Sequence, residues 1–435
     1  MQADSQIANE FDALPTTSRS VARTLFAGSI GNVLEWFDWS IYSAFAVYFS
    51  TQIFPPGDGK AALLAVFAVF AIGFFMRPLG GWVIGAFSDR YGRRSALTLT
   101  IVMMAGSSML ISFLPSYATI GIWSPILMTV LRMAQGLSVG GEFGAATTFL
   151  TESAPPNRRG LYGSFLFFSI AVGLLLASGL AWLMARYIER EALEMWGWRV
   201  PFFLGGCGSL IGFWLRRNVG ETDAFEKAKA RGTRKRIGVI RVWLNYPRAT
   251  LLLAGTSILP AFSFYLFVAY MPVYSVKHAG AMPSSAFAAS TLSIAIFMLS
   301  QPLFGMLSDR FGRRPQLIVY ALGYLLFIFP VMHAVGPSFM RMLLIECFGL
   351  LLYGLYSAIA PALMSELFST EIRGVGIGAI YNLVVALVGG TTPYLLTWLG
   401  SAGHQDWFFI YVCFGALVSL IAFYFLPEMA GKELT

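Results

Sequence analysis

Twelve apolar runs follow one another along the chain, near residues 25–50, 62–87, 95–114, 120–150, 160–185, 198–215, 249–275, 286–307, 316–335, 340–365, 374–400 and 407–427. Most are about 20 residues or longer, enough for a helix rising about 1.5 Å per residue to cross roughly 30 Å of hydrocarbon. They do not alternate as barrel strands do, so helices are the spanning form. The pattern predicts an all-α polytopic membrane protein, with twelve transmembrane helices in two six-helix bundles. The divisions read as a tail over 1–24, a first bundle over 25–215, a basic linker over 216–248, a second bundle over 249–427 and a tail over 428–435.

Composition supports lipid as a second solvent. Of 435 residues, 57% are hydrophobic and 12% charged, against about a quarter charged in a soluble domain. Mean hydropathy is +0.68. A net charge of +8 would suggest nucleic acid in a soluble chain. Here the Lys and Arg sit in short loops and anchor one membrane face, so no nucleic-acid partner is expected. With these spans, 22 basic residues share a side with both termini and the loops after the even-numbered runs. Six lie opposite: Lys60, Arg186, Arg190, Arg199, Lys277 and Arg341. That bias places both termini in the cytoplasm of a multi-pass protein of the cell (inner) membrane. The first 20 residues hold no apolar stretch, so the first run is expected to act as the insertion signal. The linker, with ten basic residues, reads as partly an amphipathic helix at the lipid surface.

Cys207, Cys347 and Cys413 lie in apolar runs, too far apart for a local metal motif, and read as small hydrophobes. His278, His333 and His404 do not cluster. No metal, cofactor or enzymatic constellation is expected, and no Walker A sequence is present to drive transport with ATP.

The halves repeat. GAFSDRYGRR at 85–94 recurs as GMLSDRFGRR at 305–314, each after the second run of its half. Glu152, Arg159 and Gly160 are echoed by Glu366, Arg373 and Gly374. Internal repeats of this kind build carriers around a midplane site. The paired G-x-x-S-D-R-x-G-R-R loops resemble the signature of the major facilitator superfamily. GNVLEWFDWSIY (31–42), RMAQGLSVGGEFG (132–144) and WGWRVPF (196–202) resemble its metabolite:proton symporter family. That family carries α-ketoglutarate, citrate, shikimate and proline/betaine. The resemblance runs from about residue 25 to the end. It implies the major facilitator fold and proton-driven import of a small organic anion by alternating access, most simply a di- or tricarboxylate. The partners are then that anion, protons and the bilayer, with the chain working as a monomer.

Charges inside membrane helices cost at least ~2.5–3.5 kcal/mol each at the helix centre, so each needs a reason. Run 1 holds Glu35 and Asp38, three apart and on one face with Gly31 and Tyr42. Run 2 holds Arg77 in a stripe with Gly73, Gly81 and Gly85, which admits a neighbouring helix. Arg132, Gln135, Val139 and Glu142 share a face of run 4, a stretch that resembles the superfamily's R-x-x-Q-G signature for proton coupling. Two readings stand side by side: a structural ion-pair network, with Asp38–Arg77 as its natural pair, or a substrate and proton site. On the second, Arg77, Arg132, Gln135 and Tyr42 bind substrate, and Glu35, Asp38 and Glu142 handle the proton. Arg132 needs a partner, and Glu35, Asp38 or a substrate carboxylate are the choices. Glu346 in run 10 reads as structural.

The second half offers mostly neutral groups, Tyr265, Tyr270, Gln301, Tyr353, Tyr356, Tyr381 and Asn382, of which Tyr265, Gln301, Tyr356 and Asn382 are assigned to substrate. In run 11, GAIYNLVVALVGGTTPY (378–394) predicts a bend at its glycines and Pro393. The loop residues Asp89, Arg90, Arg93, Arg94, Glu152, Asp309, Arg310, Arg313, Arg314, Glu366 and Arg373 are assigned to conformational gating, because the resemblance implies inter-helix charge contacts that lock one access state. A sugar carrier is the nearest rival: the tail LPEMAGKEL (426–434) is similar to that group's P-E-T-K-G ending. Run 7, GTSILPAFSFYLFVAY, lacks the paired glutamines that sugar carriers use. A zwitterion carrier for proline or betaine is the second rival, and the long C-terminal coiled coil of its osmosensing members is not found after run 12.

Overall fold

The computed structural model describes residues 18–55, 57, 59–91, 93–140, 143, 147, 150, 151, 154–216, 243–368, 373–428 and 430–432. Within these, the side chains of 18–31, 85, 86, 88–90, 93–97, 212–216, 374 and 375 are not described. The linker over 217–242, Glu142 and Glu152 lie outside the described residues, as do the side chains of Asp89, Arg90, Arg93 and Arg94.

Each apolar run becomes helical, and most helices extend a few residues past the run, because a hydrogen-bonded backbone must continue until it reaches polar surroundings. The first half holds α1 (Ser18–Ile53), α2 (Gly59–Tyr91), α3 (Arg93–Ser112), α4 (Trp123–Val139), α5 (Arg159–Tyr187) and α6 (Arg199–Arg216). The second holds α7 (Pro247–His278), α8 (Pro283–Phe311), α9 (Arg313–His333), α10 (Phe339–Glu366), α11 (Gly376–Ser401, entered from Arg373) and α12 (Gln405–Phe425). Among the described residues eight helices are long and apolar enough to cross a membrane, with two shorter apolar helices at Thr98–Ser112 and Arg199–Ile211. No strand occurs among them. Of the expected run 120–150, α4 accounts for Trp123–Val139, and only scattered residues beyond it are described.

Small residues set the packing. A Cβ added to Gly136 on α4 would overlap the Gly73 carbonyl oxygen on α2, and one on Gly140 would overlap the Arg77 carbonyl. The expected glycine stripe of α2 therefore receives α4, with backbones in near contact. The halves meet where α5 lies along α8 and α2 along α11. Gly160 and Gly305 face one another across the first of these seams, each leaving no room for a Cβ on the other.

The second half has broken helices. α7 widens into a π turn over Tyr265–Tyr270, just before Pro272. Pro lacks an N–H and its ring crowds the preceding turn, which favours such a bulge. α10 breaks between Ser357 and Ala360, ahead of Pro361. In α11 a π turn over Val385–Gly389 is followed by a short turn and Pro393, as the glycines and Pro393 lead one to expect. The bends of α7 and α10 were not expected.

Candidate functional site

Buried charge converges in the first half, where α1, α3 and α4 meet. Asp38, Arg132 and Gln135 are all fully buried. Arg132 Nη1 lies 3.4 Å from Asp38 Oδ2 and also donates to Gln135 Oε1. Gln135 Nε2 donates to the same Asp38 oxygen at 2.7 Å and touches Ser108 Oγ at 2.8 Å. The other carboxylate oxygen accepts from the Ser108 hydroxyl. Asp38 thus receives three donors from two neighbouring helices, the condition under which a buried carboxylate is tolerable. Removing one partner of such a pair costs about 3–5 kcal/mol. The i, i+3 spacing of Arg132 and Gln135 lets both reach Asp38 from one face of α4.

Aromatic rings line the other side of the guanidinium. Arg132 lies 3.8 Å from the centroid of Tyr42 and 4.8 Å from Trp39. The Tyr42 hydroxyl is directed elsewhere, to the Val66 carbonyl at 3.0 Å. Arg132 Nε and Nη2 have no hydrogen-bond partner among the described residues. One edge of the guanidinium fork is engaged by Asp38 and Gln135. The Nε–Nη2 edge, which suits a bidentate carboxylate, is unused.

The expected Asp38–Arg77 pair does not form. Arg77 sits over the rings of Phe74 at 4.0 Å, Trp39 at 4.4 Å and Trp36 at 5.4 Å, with Nε and Nη2 unbonded among the described residues. Asp38 turns toward α3 and α4, where Ser108, Arg132 and Gln135 meet it. Cation–π attraction holds Arg77 instead, a contact worth about 2 kcal/mol when desolvated. Trp39 therefore touches both arginines. Of the alternatives for Arg132, Asp38 is its partner. Glu35 is half-buried.

The second half meets this cluster through aromatic groups. Tyr265 stands edge-on to Phe74 with centroids 4.9 Å apart, and Tyr381 stacks on Phe143 at 4.4 Å. Asn382 crosses the seam to the Gly140 carbonyl at 3.2 Å. Gln301 and Tyr356 are not brought to Arg132: Gln301 receives Ser357 Oγ at 3.0 Å, and Tyr356 packs by Tyr320. Sequence reasoning missed Ser108 and Trp39. The consecutive serines at 107 and 108 inside an otherwise apolar run were the available signal for the first.

At the end of the molecule carrying the repeated loops, Asp309 of the second half accepts from the Gly160 and Leu161 amides at the start of α5, both at 2.8 Å. The helix dipole adds to that attraction. Arg313 binds Asp309 at 2.8 Å and Glu366 at 3.3 Å. Arg373 ties the α10–α11 turn through the carbonyls of Ser365 and Phe368. Arg310 and Arg314 lie over Phe311 and Tyr424 instead of entering this cluster. The tail joins in: Glu428 accepts from the Arg313 and Arg314 amides, and Arg159 of the first half donates to the Lys432 carbonyl.

Packed spanning helices whose halves meet along seams of small residues, with a charge cluster buried inside the first half, are the build of a membrane transporter. Residues 28–393 and 297–434 match the Major Facilitator Superfamily, and the chain belongs to that superfamily. It is a multi-pass membrane transporter. It is 36% identical over 411 residues to the alpha-ketoglutarate permease of Escherichia coli K12, covering 93% of this chain and 94% of the permease. It is 34% identical to the proline/betaine transporter of Salmonella typhimurium LT2, covering 95% and 84%. To the citrate-proton symporter of Klebsiella pneumoniae it is again 34% identical, covering 93% and 91%. Among solved structures, a D-xylose-proton symporter superposes with a TM-score of 0.74 at 23% identity, covering 95% of this chain and 100% of that one. At that identity the likeness concerns the fold.

Proposed function

We propose that the protein is a proton-coupled importer of a small organic anion, a di- or tricarboxylate such as α-ketoglutarate or citrate, with Asp38 and Arg132 as its coupling centre. The observation that carries this reading is the half-used guanidinium of Arg132: one edge holds Asp38 and Gln135, and the other has no partner among the described residues. A substrate carboxylate on the Nε–Nη2 edge competes with Asp38 for one positive charge. Protonation of Asp38 weakens its hold on Arg132 and favours the substrate. Departure of the substrate restores the pair and expels the proton. Gln135 and Ser108 keep Asp38 in place through both states. Arg77 adds positive potential beside the site, and Tyr42, Tyr265 and Asn382 supply walls from both halves.

The relatives include carriers of carboxylates and of proline or betaine. A quaternary ammonium needs open aromatic faces. Those of Trp36, Trp39 and Phe74 are occupied by Arg77, which favours the anion. The basic-residue bias puts the loop end, with Asp309 and both termini, in the cytoplasm. Asp309 on the α5 amides then acts as a clasp holding that side shut.

The test is uptake into proteoliposomes with labelled α-ketoglutarate, citrate, betaine and xylose. Inward uptake of a carboxylate, driven by an imposed pH gradient and abolished by a protonophore, is expected. Uptake driven by sodium and unchanged by collapse of the pH gradient at fixed membrane potential overturns the coupling. Uptake of betaine alone overturns the anion.

A further inference from the structure

Away from the loop-end charge cluster, the second half buries one acid that the coupling centre does not use. Glu346 lies on α10, about 10 Å from the end of the helix at Phe339. It is fully buried, and neither carboxyl oxygen has a hydrogen-bond partner among the described residues. No ion pair reaches it among those residues.

Its surroundings are polar but uncharged. The hydroxyls of Ser290 and Ser293 on α8 stand alongside the carboxyl, and Ser290 Oγ is itself buried without a partner. Cys347, the neighbour on α10, donates through Sγ to Ser293 Oγ at 3.5 Å. From α9, Tyr324 donates to the Gly349 carbonyl at 2.9 Å and is spent there. From α7, Phe267 packs on Gly349. A carboxylate with no cation, flanked only by these hydroxyls, costs several kcal/mol in such a place. The site accommodates a neutral acid and rejects an ion.

Ser290 also opens the other way. It lines a cavity of about 20 Å³ between the halves, together with Ser40 and Ala44 of α1, Ser178 of α5, and Ala269 and Pro272 of α7. That volume holds one water. Next to it, Thr291 Oγ1 donates to Ser178 Oγ across the seam at 3.2 Å. The cavity therefore sits on a contact that must part when the bundles rock, and Ser290 connects it to Glu346.

We propose that Glu346 is a second proton-carrying site: neutral while the halves are closed, and exchanging its proton through the Ser290 cavity when the seam between α5 and α8 opens. This rests on the proton-coupled reading above and adds one proton to it. In the closed state the proton stays on the carboxyl. The carboxyl takes its proton from cavity water while the seam is open to one face and gives it to water when the seam opens to the other, so each cycle moves one proton.

The experiment is the proton-to-substrate ratio from reversal potentials in proteoliposomes, using α-ketoglutarate or citrate, whichever the wild type carries. Glu346→Gln keeps the shape of the neutral acid and should move one proton fewer per substrate. An equal ratio in wild type and Glu346→Gln overturns the proposal, leaving a permanently neutral structural acid. A wild type that moves substrate without protons overturns the coupling reading itself. Infrared titration of the purified protein gives a second readout independent of substrate. The carbonyl band of a neutral carboxyl should disappear in Glu346→Gln and shift in Glu346→Asp. A spectrum unaltered by both variants overturns the proposal. If Glu346→Gln does not accumulate, Glu346→Asp decides through the same band.

Discussion

The two halves share a loop motif and a helix count, yet they fill their cores differently. The first buries Asp38, Arg132 and Arg77 among Trp36, Trp39, Tyr42 and Phe74. The second buries a series of tyrosines, Tyr265, Tyr270, Tyr320, Tyr324, Tyr353 and Tyr356, and one fully buried acid among its described residues, Glu346. The backbone differs in the same sense: π turns occur in α7 and α11, and among the described helices of the first half no π turn interrupts a membrane span. The first half supplies fixed charge on regular helices, where positions are held closely. The second supplies shape and movement, since a π turn already lacks the regular hydrogen-bond register and can shift at less cost. Charge and hinge are divided between repeats that began with one plan.

That division can be broken by substitution. The largest effect is expected from Asp38→Asn in the first half. Accumulation of substrate against its gradient should be lost, while exchange of labelled for unlabelled substrate persists. Accumulation at the wild-type level would remove Asp38 from coupling. Next is Arg132→Lys, which keeps charge but not the fork. Losing a bidentate charge-assisted contact worth about 3 kcal/mol weakens substrate binding about 100-fold, measured by calorimetry. Normal affinity would end the carboxylate-fork idea. Arg132→Gln distinguishes structure from function further: if membrane abundance falls and Asp38→Asn in the same chain restores it, the pair is structural.

Smaller changes sharpen the comparison. Asp309→Asn removes the charge from the contact between the second half and the α5 amides. Turnover should change by up to about tenfold, a contact of about 1.4 kcal/mol, with substrate affinity preserved. An equal loss of affinity would mean that this end also shapes the site. Arg77→Gln is expected to be the mildest, at about 1–2 kcal/mol of stability in thermal unfolding, with proton coupling intact. Loss of coupling in Arg77→Gln would move Arg77 into the centre and restore the partnership with Asp38 expected from the sequence.

Legibility followed the same physical lines. The helices were readable because the bilayer demands long apolar runs and internal hydrogen bonds. The glycine stripe of α2 correctly announced a close neighbour, and Gly136 and Gly140 of α4 are that neighbour. The bend in α11 was readable from paired glycines and Pro393. The π turn in α7 was not, since Pro272 lies beyond it and the turn itself, YLFVAY, is ordinary apolar sequence. Ser108 was passed over because a lone hydroxyl in a membrane helix usually returns to its own backbone. Here it turns to Asp38.

The sequence by itself determined how many helices cross, at what depth each charge lies, and that Arg132 must find a partner. Rise per residue is fixed at about 1.5 Å, so depth is a count along the chain. Which acid meets which arginine was decided only by tertiary structure. The rotation of α1 against α2 and α4 is set by where glycine backbones permit close approach and where Trp39 fits between the helices. That rotation gave Asp38 to Arg132 and left Arg77 to the aromatic rings. It is a property of packed surfaces, and no single helix carries it.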